Sequence, residues 1–256
     1  MVAITFDDGY RDVAHNGIPI LEKHALPASL FVLAGREASR RMWFDELERA
    51  YFECGPAGAR HDLVKEGIDP VVAFFRHASV FRGKHALEAL DDIYGLWPDL
   101  AVTEPKHEMM TTSDLLALAS RSGVSIETHG VTHTATSVLS EGELRQEVAS
   151  SAVHIRELTG RFPTHFAYPF GTPNTVHSQA GKILAQQGMR SALTTDQSGV
   201  DRGSDPYRMP RRLVRNWGAG DFHDWLMAPR FVRWLDTSDQ DTRERLSSVL
   251  GGPSCA

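Results

Sequence analysis

Cysteine is nearly absent from this chain: Cys54 and Cys255 are its only two, about 200 positions apart. Neither a disulfide framework nor a cysteine-based zinc site can be assembled from such a pair. Long apolar runs are missing as well, and none approaches the roughly 20 residues that a membrane span requires. No leader-like segment precedes the opening Val2-Ala3-Ile4-Thr5-Phe6, so the sequence as written points to the cytoplasm. Positive charge is in short supply, with 27 Lys and Arg against 33 Asp and Glu, a net charge of -6. That balance speaks against nucleic acid or an anionic membrane surface as partner, because both reward clustered cations. A neutral or cationic substrate fits it better.

What remains is an ordinary globular composition, 41% hydrophobic and 23% charged, over 256 residues. That length suits one large α/β domain or two small ones. Residues 2–6 are a short run of β-formers that ends at the turn-prone Asp7-Asp8-Gly9. A helical stretch around Ile18 to Glu22 stops near Leu26-Pro27, and Ala28 to Leu33 forms a second buried strand. Apolar strands alternating with helices predict a parallel sheet flanked by helices. Residues 36–110 break the rhythm with three helical patterns: Trp43 to Tyr51, Val71 to Phe75, and Leu87 to Tyr94. They read as an inserted helical segment, either a cap over a site or simple packing. The alternation resumes with a helix over Thr112 to Ser120, ended by Gly123, and a strand at Val124 to Ile126. Ser140 and Glu143 form a capping box for the long helix to Leu158, whose Leu144, Val148, Ile155 and Leu158 share one face. Further strands are expected at His165 to Tyr168 and Ser191 to Thr194. From about residue 221 the pattern weakens into an irregular tail.

Three polar clusters each follow a strand: Asp7-Asp8-Gly9, His129-Gly-Val-Thr-His133, and Tyr168-Pro-Phe170-Gly171. Ligands bind at the carboxyl ends of parallel strands, so the three converge on one face. Singly, each is an ordinary turn or packing motif; their shared placement makes a site. Two adjacent carboxylates repel, and a divalent cation relieves that repulsion by taking one as a ligand. Two imidazoles and one carboxylate are a three-ligand set that leaves room for water. The ion lowers the pKa of that water to about 7, and the spare carboxylate can take its proton. Such an assembly hydrolyses amides or esters.

Thr5-Phe-Asp-Asp-Gly-Tyr10, with His129-x-x-x-His133 far downstream and Phe166-Ala-Tyr-Pro-Phe-Gly171, resembles the polysaccharide deacetylases of carbohydrate esterase family 4. Asp205-Pro-Tyr-Arg-Met-Pro-Arg211 resembles a late segment found in one branch of that family. The resemblance covers roughly residues 2–35 and 108–215. It implies a distorted (β/α) barrel of about seven parallel strands, in a single catalytic domain over 1–256. It also implies hydrolytic removal of N-acetyl groups from a poly- or oligosaccharide substrate. By position, Asp7 is the base, and Asp8, His129 and His133 hold one divalent ion, zinc first among the choices. The Phe170 N–H belongs to the oxyanion hole, while Tyr168 and Trp217 are expected to meet the sugar.

The chain departs from the family at three points. Gly130 follows the first metal histidine where Ser or Thr is usual. Ala167 stands where an arginine normally orients the catalytic aspartate, and Arg211 is expected to supply that guanidinium instead. The usual Leu-x-His donor of the leaving-group proton is missing, leaving His15, His165, His177 and His223 to be weighed. Two other functions are compatible with the motifs. One is a metal-dependent amide or imide hydrolase of the allantoin or deformylase type. The other is a carbohydrate-binding relative without catalysis.

Overall fold

The computed structural model describes residues 2–34, 42–55, 70–100 and 107–227. Cys255 and the chain beyond residue 227 lie outside the described residues. Five strands form one wholly parallel sheet in the order β1-β2-β3-β4-β5: β1 (Ile4–Phe6), β2 (Ala28–Val32), β3 (Val124–Thr128), β4 (His165–Ala167) and β5 (Ser191–Leu193). Each strand lies beside the next in sequence. With crossovers of one hand, that order puts the connecting helices on a single face and curls the sheet as a barrel does. The count among the described residues is five, against the seven or so the family resemblance implies. A sixth position is filled by extended chain: Met209 bridges Leu193 in parallel, and backbone bonds tie Ala192 to Pro206 and Arg211 to Asp196. Pro206 and Pro210 fit this edge, because the ladder draws on the N–H groups of Met209 and Arg211 rather than theirs.

The outer face of the sheet is apolar. Ala28, Leu30, Val32 and Val124 are buried against Ile18 of α1 (Ile18–Lys23), Leu115 and Leu118 of α5 (Thr112–Ala119), and Ile155 of α6 (Glu141–Thr159). Burying each such aliphatic side chain contributes about 2 kcal/mol. The inner face carries Thr5, Ser29 and Ser125 in one register row, with Ser125 Oγ donating to Ser29 Oγ at 2.8 Å. The capping box of α6 is formed, Ser140 Oγ accepting from the Glu143 N–H and Glu143 accepting from the Ser140 N–H. Gly160, with φ 72°, ends that helix in the left-handed region that glycine tolerates best.

Between β2 and β3 stand α2 (Trp43–Glu53), α3 (Pro70–Arg82) and α4 (Ala86–Leu96), where three helices are expected. They have their own core of Leu47, Tyr51, Phe81, Ile93 and Trp97, and Phe170 from the sheet side packs against it. α7 (Ala180–Gln186) follows β4. An irregular tail is expected from about residue 221; its first residues, to Met227, belong to α8 (Ala219–Met227), and the remainder lies outside the described residues. Trp225 anchors that helix by packing against Phe222 and Trp217, a cluster too short to register as helical periodicity.

Candidate active site

The register sets the site. Phe6 lies beside Leu30 and Val32 beside Thr128, so Asp7-Asp8 and His129 emerge together at the carboxyl ends of neighbouring strands. His129 N–H donates to the Val32 carbonyl, extending β3 by one bond before the chain turns. Asp8 Oδ1 then lies 3.2 Å from His129 Nε2 and 3.2 Å from His133 Nε2. Both histidines are buried, whereas the Asp8 side chain is 23% exposed, so this corner opens to solvent at the carboxylate.

The three donors fit a divalent ion on two grounds. Bonds of about 2.0 Å in a tetrahedron separate neighbouring ligand atoms by about 3.3 Å, close to the spacing observed. His129 Nδ1 is 2.7 Å from the Ala167 carbonyl oxygen. A carbonyl only accepts, so Nδ1 carries a proton, and in the neutral ring Nε2, which faces Asp8 and His133, is the nitrogen left to bind an ion. Burial disfavours charge on Asp8, yet hydrogen bonding and attraction to His129 and His133 outweigh it and hold its pKa far below the carboxylate range. The same contact raises His129 against its own burial. Positive charge is thus favoured at the point where the three ligand atoms meet.

Backbone strain collects here. Four non-glycine residues among those described have φ in the left-handed region, and Asp8 (69°), His133 (60°) and Phe170 (62°) are three of them. Such conformations cost about 1–3 kcal/mol each and persist where surrounding contacts impose them. Glu147 of α6 imposes one: it accepts from Val131 N at 2.7 Å, Thr132 N at 3.1 Å and Thr132 Oγ1 at 2.8 Å, bracing the loop between the histidines. It also accounts for Gly130. That residue has φ 87°, and a Cβ there would stand 3.0 Å from Glu147 Oε2. Glu147 occupies the space a side chain at position 130 would take, and its carboxylate does the bracing. Sequence reasoning missed Glu147, whose only signal is a carboxylate four residues, about one turn, before the buried Ser151 of α6.

Asp7, close enough to His129 to favour its charged form, has a partner of its own. Arg211 Nη1 and Nη2 donate to its two carboxylate oxygens, each at 2.6 Å. Nη1 also reaches Thr5 Oγ1 at 3.2 Å, and Nε donates to the Thr194 carbonyl at 3.0 Å. One guanidinium therefore joins the end of β1 to the far edge of the sheet, and its planar fork holds the carboxylate in a single orientation. Phe170 follows β4 in a tight turn where Gly171 N–H donates to the Pro169 carbonyl. A Cβ on Gly171 would lie 2.8 Å from Thr195 N, so only glycine fits. The Phe170 ring packs on His133 at 4.7 Å. Among the described residues nothing accepts from the Phe170 N–H.

The two expected sugar contacts are placed differently. Tyr168 is 1% exposed, packed on Phe166, with its hydroxyl donated to the Tyr207 carbonyl at 3.0 Å. Its side chain is a core element, which corrects the expectation that it meets substrate. The Trp217 ring pairs with Trp225 of α8 at 5.2 Å. The insert contributes rings that were not foreseen: Phe44 lies 5.2 Å from the His133 ring, and Trp43 lies 5.8 Å from Phe170. The start of α2 thus walls the corner where His133 meets Asp8.

A family profile described as polysaccharide deacetylase matches residues 1–192. This chain belongs to the polysaccharide deacetylase family. Solved structures of similar fold include the deacetylase PplD of Streptococcus pyogenes in complex with acetate, at 15% identity and TM-score 0.56, covering 89% of this chain and 70% of that one. IcaB from Ammonifex degensii gives 19% identity and TM-score 0.52, covering 88% and 70%. The deacetylase domain of BpsB from Bordetella bronchiseptica gives 19% and 0.50, covering 82% and 69%. No curated protein matches the chain. Among the described residues of this family member, no helix is long and apolar enough to cross a membrane.

Proposed function

We propose that the protein is a metal-dependent deacetylase that removes N-acetyl groups from an N-acetylhexosamine-containing poly- or oligosaccharide. The catalytic unit is taken as one domain, with residues 36–110 as a helical insert. Asp8, His129 and His133 hold one divalent ion, with zinc matching the nitrogen-rich donor set. When bound, that ion polarises the acetamide carbonyl and makes nearby water easier to deprotonate.

The chain's own groups do the rest. Asp7 accepts the proton of the attacking water, and Arg211 keeps its carboxylate turned toward that water. Arg211 touches no reacting atom; it positions Asp7. The Phe170 N–H donates to the carbonyl oxygen as negative charge builds there. Phe44 and Phe170 exclude water from the His133 side, which strengthens these electrostatic contacts. The observation that carries this reading is the spare carboxylate, gripped at both oxygens beside a complete three-ligand set. A pure binding protein has no use for an oriented base at that point.

Metal content and acetate release test it together. The purified protein should bind about one zinc-like ion per chain, and a His129→Ala, His133→Ala double variant should bind none. The loaded protein should release acetate from N-acetylated chitooligosaccharides, and chelation should abolish that release. Turnover of a cyclic imide without acetate release would instead assign it to the imide hydrolases.

A further inference from the structure

Amide hydrolysis expels an amine, and the nitrogen must gain a proton before it leaves. The histidines expected for this task are engaged elsewhere or remote from the ligands. His165 begins β4, at the opposite end of the sheet from His129, and its Nδ1 is 2.7 Å from Ser191 Oγ. His177 Nδ1 accepts from the Gln179 N–H, His15 Nε2 faces Asp114 at 3.3 Å, and His223 is exposed on α8.

The first turn of α2 offers another group. Asp45 follows Phe44, whose ring packs on the metal-ligand histidine His133. On its other side, the hydroxyl of Tyr10, two residues beyond Asp8, donates to Asp45 Oδ2 at 2.8 Å. The carboxyl is thus bracketed by residues adjoining two of the three ligands. It lines a cleft of about 770 Å³ with Tyr10, Arg11, His15, His107 and Glu108, large enough for a sugar unit. Tyr10 engages one oxygen; among the described residues no hydrogen bond occupies Oδ1.

We propose that Asp45, carried in by the helical insert, is the general acid that protonates the departing sugar nitrogen from Oδ1. The proposal rests on the deacetylase function above. Water gives its oxygen to the acetyl carbon and one proton to Asp7. The carbon–nitrogen bond breaks, its electron pair stays on nitrogen, and nitrogen takes the Asp45 proton. Acetic acid and a free amine leave, the acid gives its remaining proton to solvent as it becomes acetate, and solvent returns the proton from Asp7 to Asp45.

The electrostatics agree with that role. Burial, with the charges of Asp8 and Glu48, pushes the Asp45 carboxyl up to about 6, against the Tyr10 hydrogen bond and His107, which favour its ionised form. Burial and the neighbouring Asp45 and Asp8 charges raise the Tyr10 hydroxyl well above its ordinary range, so it stays a donor.

The test compares two substrates. Asp45→Asn should lower kcat on an N-acetylated chitooligosaccharide by about a hundredfold or more at little cost in KM. The same variant should hydrolyse 4-nitrophenyl acetate within about threefold of the native rate, because nitrophenolate leaves without a proton. Asp45→Glu should restore part of the amide activity. Tyr10→Phe removes a bond that favours the ionised carboxyl, so the alkaline limb of kcat should move to higher pH. Carbon-13 NMR of the metal-free protein should show an aspartate carboxyl titrating near 6 that is missing from Asp45→Asn. Equal losses on both substrates, unchanged amide turnover, or an Asp45 titration below about 4.5 would each overturn the assignment. If the native protein releases no acetate from any acetylated saccharide, the deacetylase reading falls and the assignment with it.

Discussion

Replacing Arg211 with alanine puts the hold on Asp7 to a quantitative test. The substitution removes two charge-assisted hydrogen bonds of 2.6 Å to Asp7, one to the Thr194 carbonyl and one to Thr5 Oγ1. A buried pair broken this way costs about 3–5 kcal/mol. Here the Arg211 side chain is 15% exposed and that of Asp7 26%, so water can recover part of the loss. We expect a net cost of about 2–3 kcal/mol, which for a domain of this size lowers Tm by roughly 5–10 °C. Activity should fall further than stability. A base free to rotate is displaced by about an ångström, and such misplacement costs about a hundredfold in kcat/KM. Arg211→Lys keeps the charge, but one ammonium cannot span both oxygens of Asp7 and the Thr194 carbonyl together. It should recover some stability and little turnover. Thermal unfolding and acetate release measure the two effects, and millimolar guanidinium should partly rescue Arg211→Ala. Retention of kcat/KM within about threefold in Arg211→Ala would refute the positioning role.

Two further perturbations address the supporting groups. Glu147→Ala strips the acceptor from two loop N–H groups, costing about 2–3 kcal/mol and weakening zinc affinity roughly 10- to 100-fold in competition titrations; native-like affinity would show that the loop holds its shape unaided. Asp45 contributes a pH slope to stability. Its folded pKa of about 6 lies above the unfolded value of about 3.9, so the native state binds this proton more tightly and stability falls as pH rises from about 4 to 6. Asp45→Asn should abolish that slope and unfold later than the native protein above pH 6, by about 3 kcal/mol. Parallel stability profiles for the two proteins would contradict the raised pKa.

Local signals carried much of the architecture. The capping box at Ser140, the left-handed stop at Gly160 and the Asp7-Asp8-Gly9 turn each depend on residues within a few positions of one another. Alternating apolar strands and amphipathic helices call for a parallel sheet, and ligands gather at its carboxyl ends. That Asp7, Asp8 and His129 emerge at the carboxyl ends of neighbouring strands was therefore legible in the sequence. The helix at Ala219–Met227 was not legible because the packing of Trp217, Phe222 and Trp225 depends on ring geometry, and these residues follow no repeat. The burial of Tyr168 was not legible because it lies one residue past the end of β4, where the turn of the chain decides whether a ring meets the core or the cleft.

Other features exist only through contacts between distant parts of the chain. Arg211 reaches Asp7 across 204 positions because the curled sheet brings its last edge back to its first strand. The glycine at 130 makes sense only once Glu147 of α6 occupies the space beside it. Asp45 belongs to the site because a helix inserted between β2 and β3 folds back over His133. Sequence alone determined which chemical groups the protein carries and at which strand ends they emerge, since hydrophobic period and turn chemistry are local. Tertiary structure alone decided which groups face one another, because partners far apart in the chain meet only through the closing of the sheet and the docking of the insert.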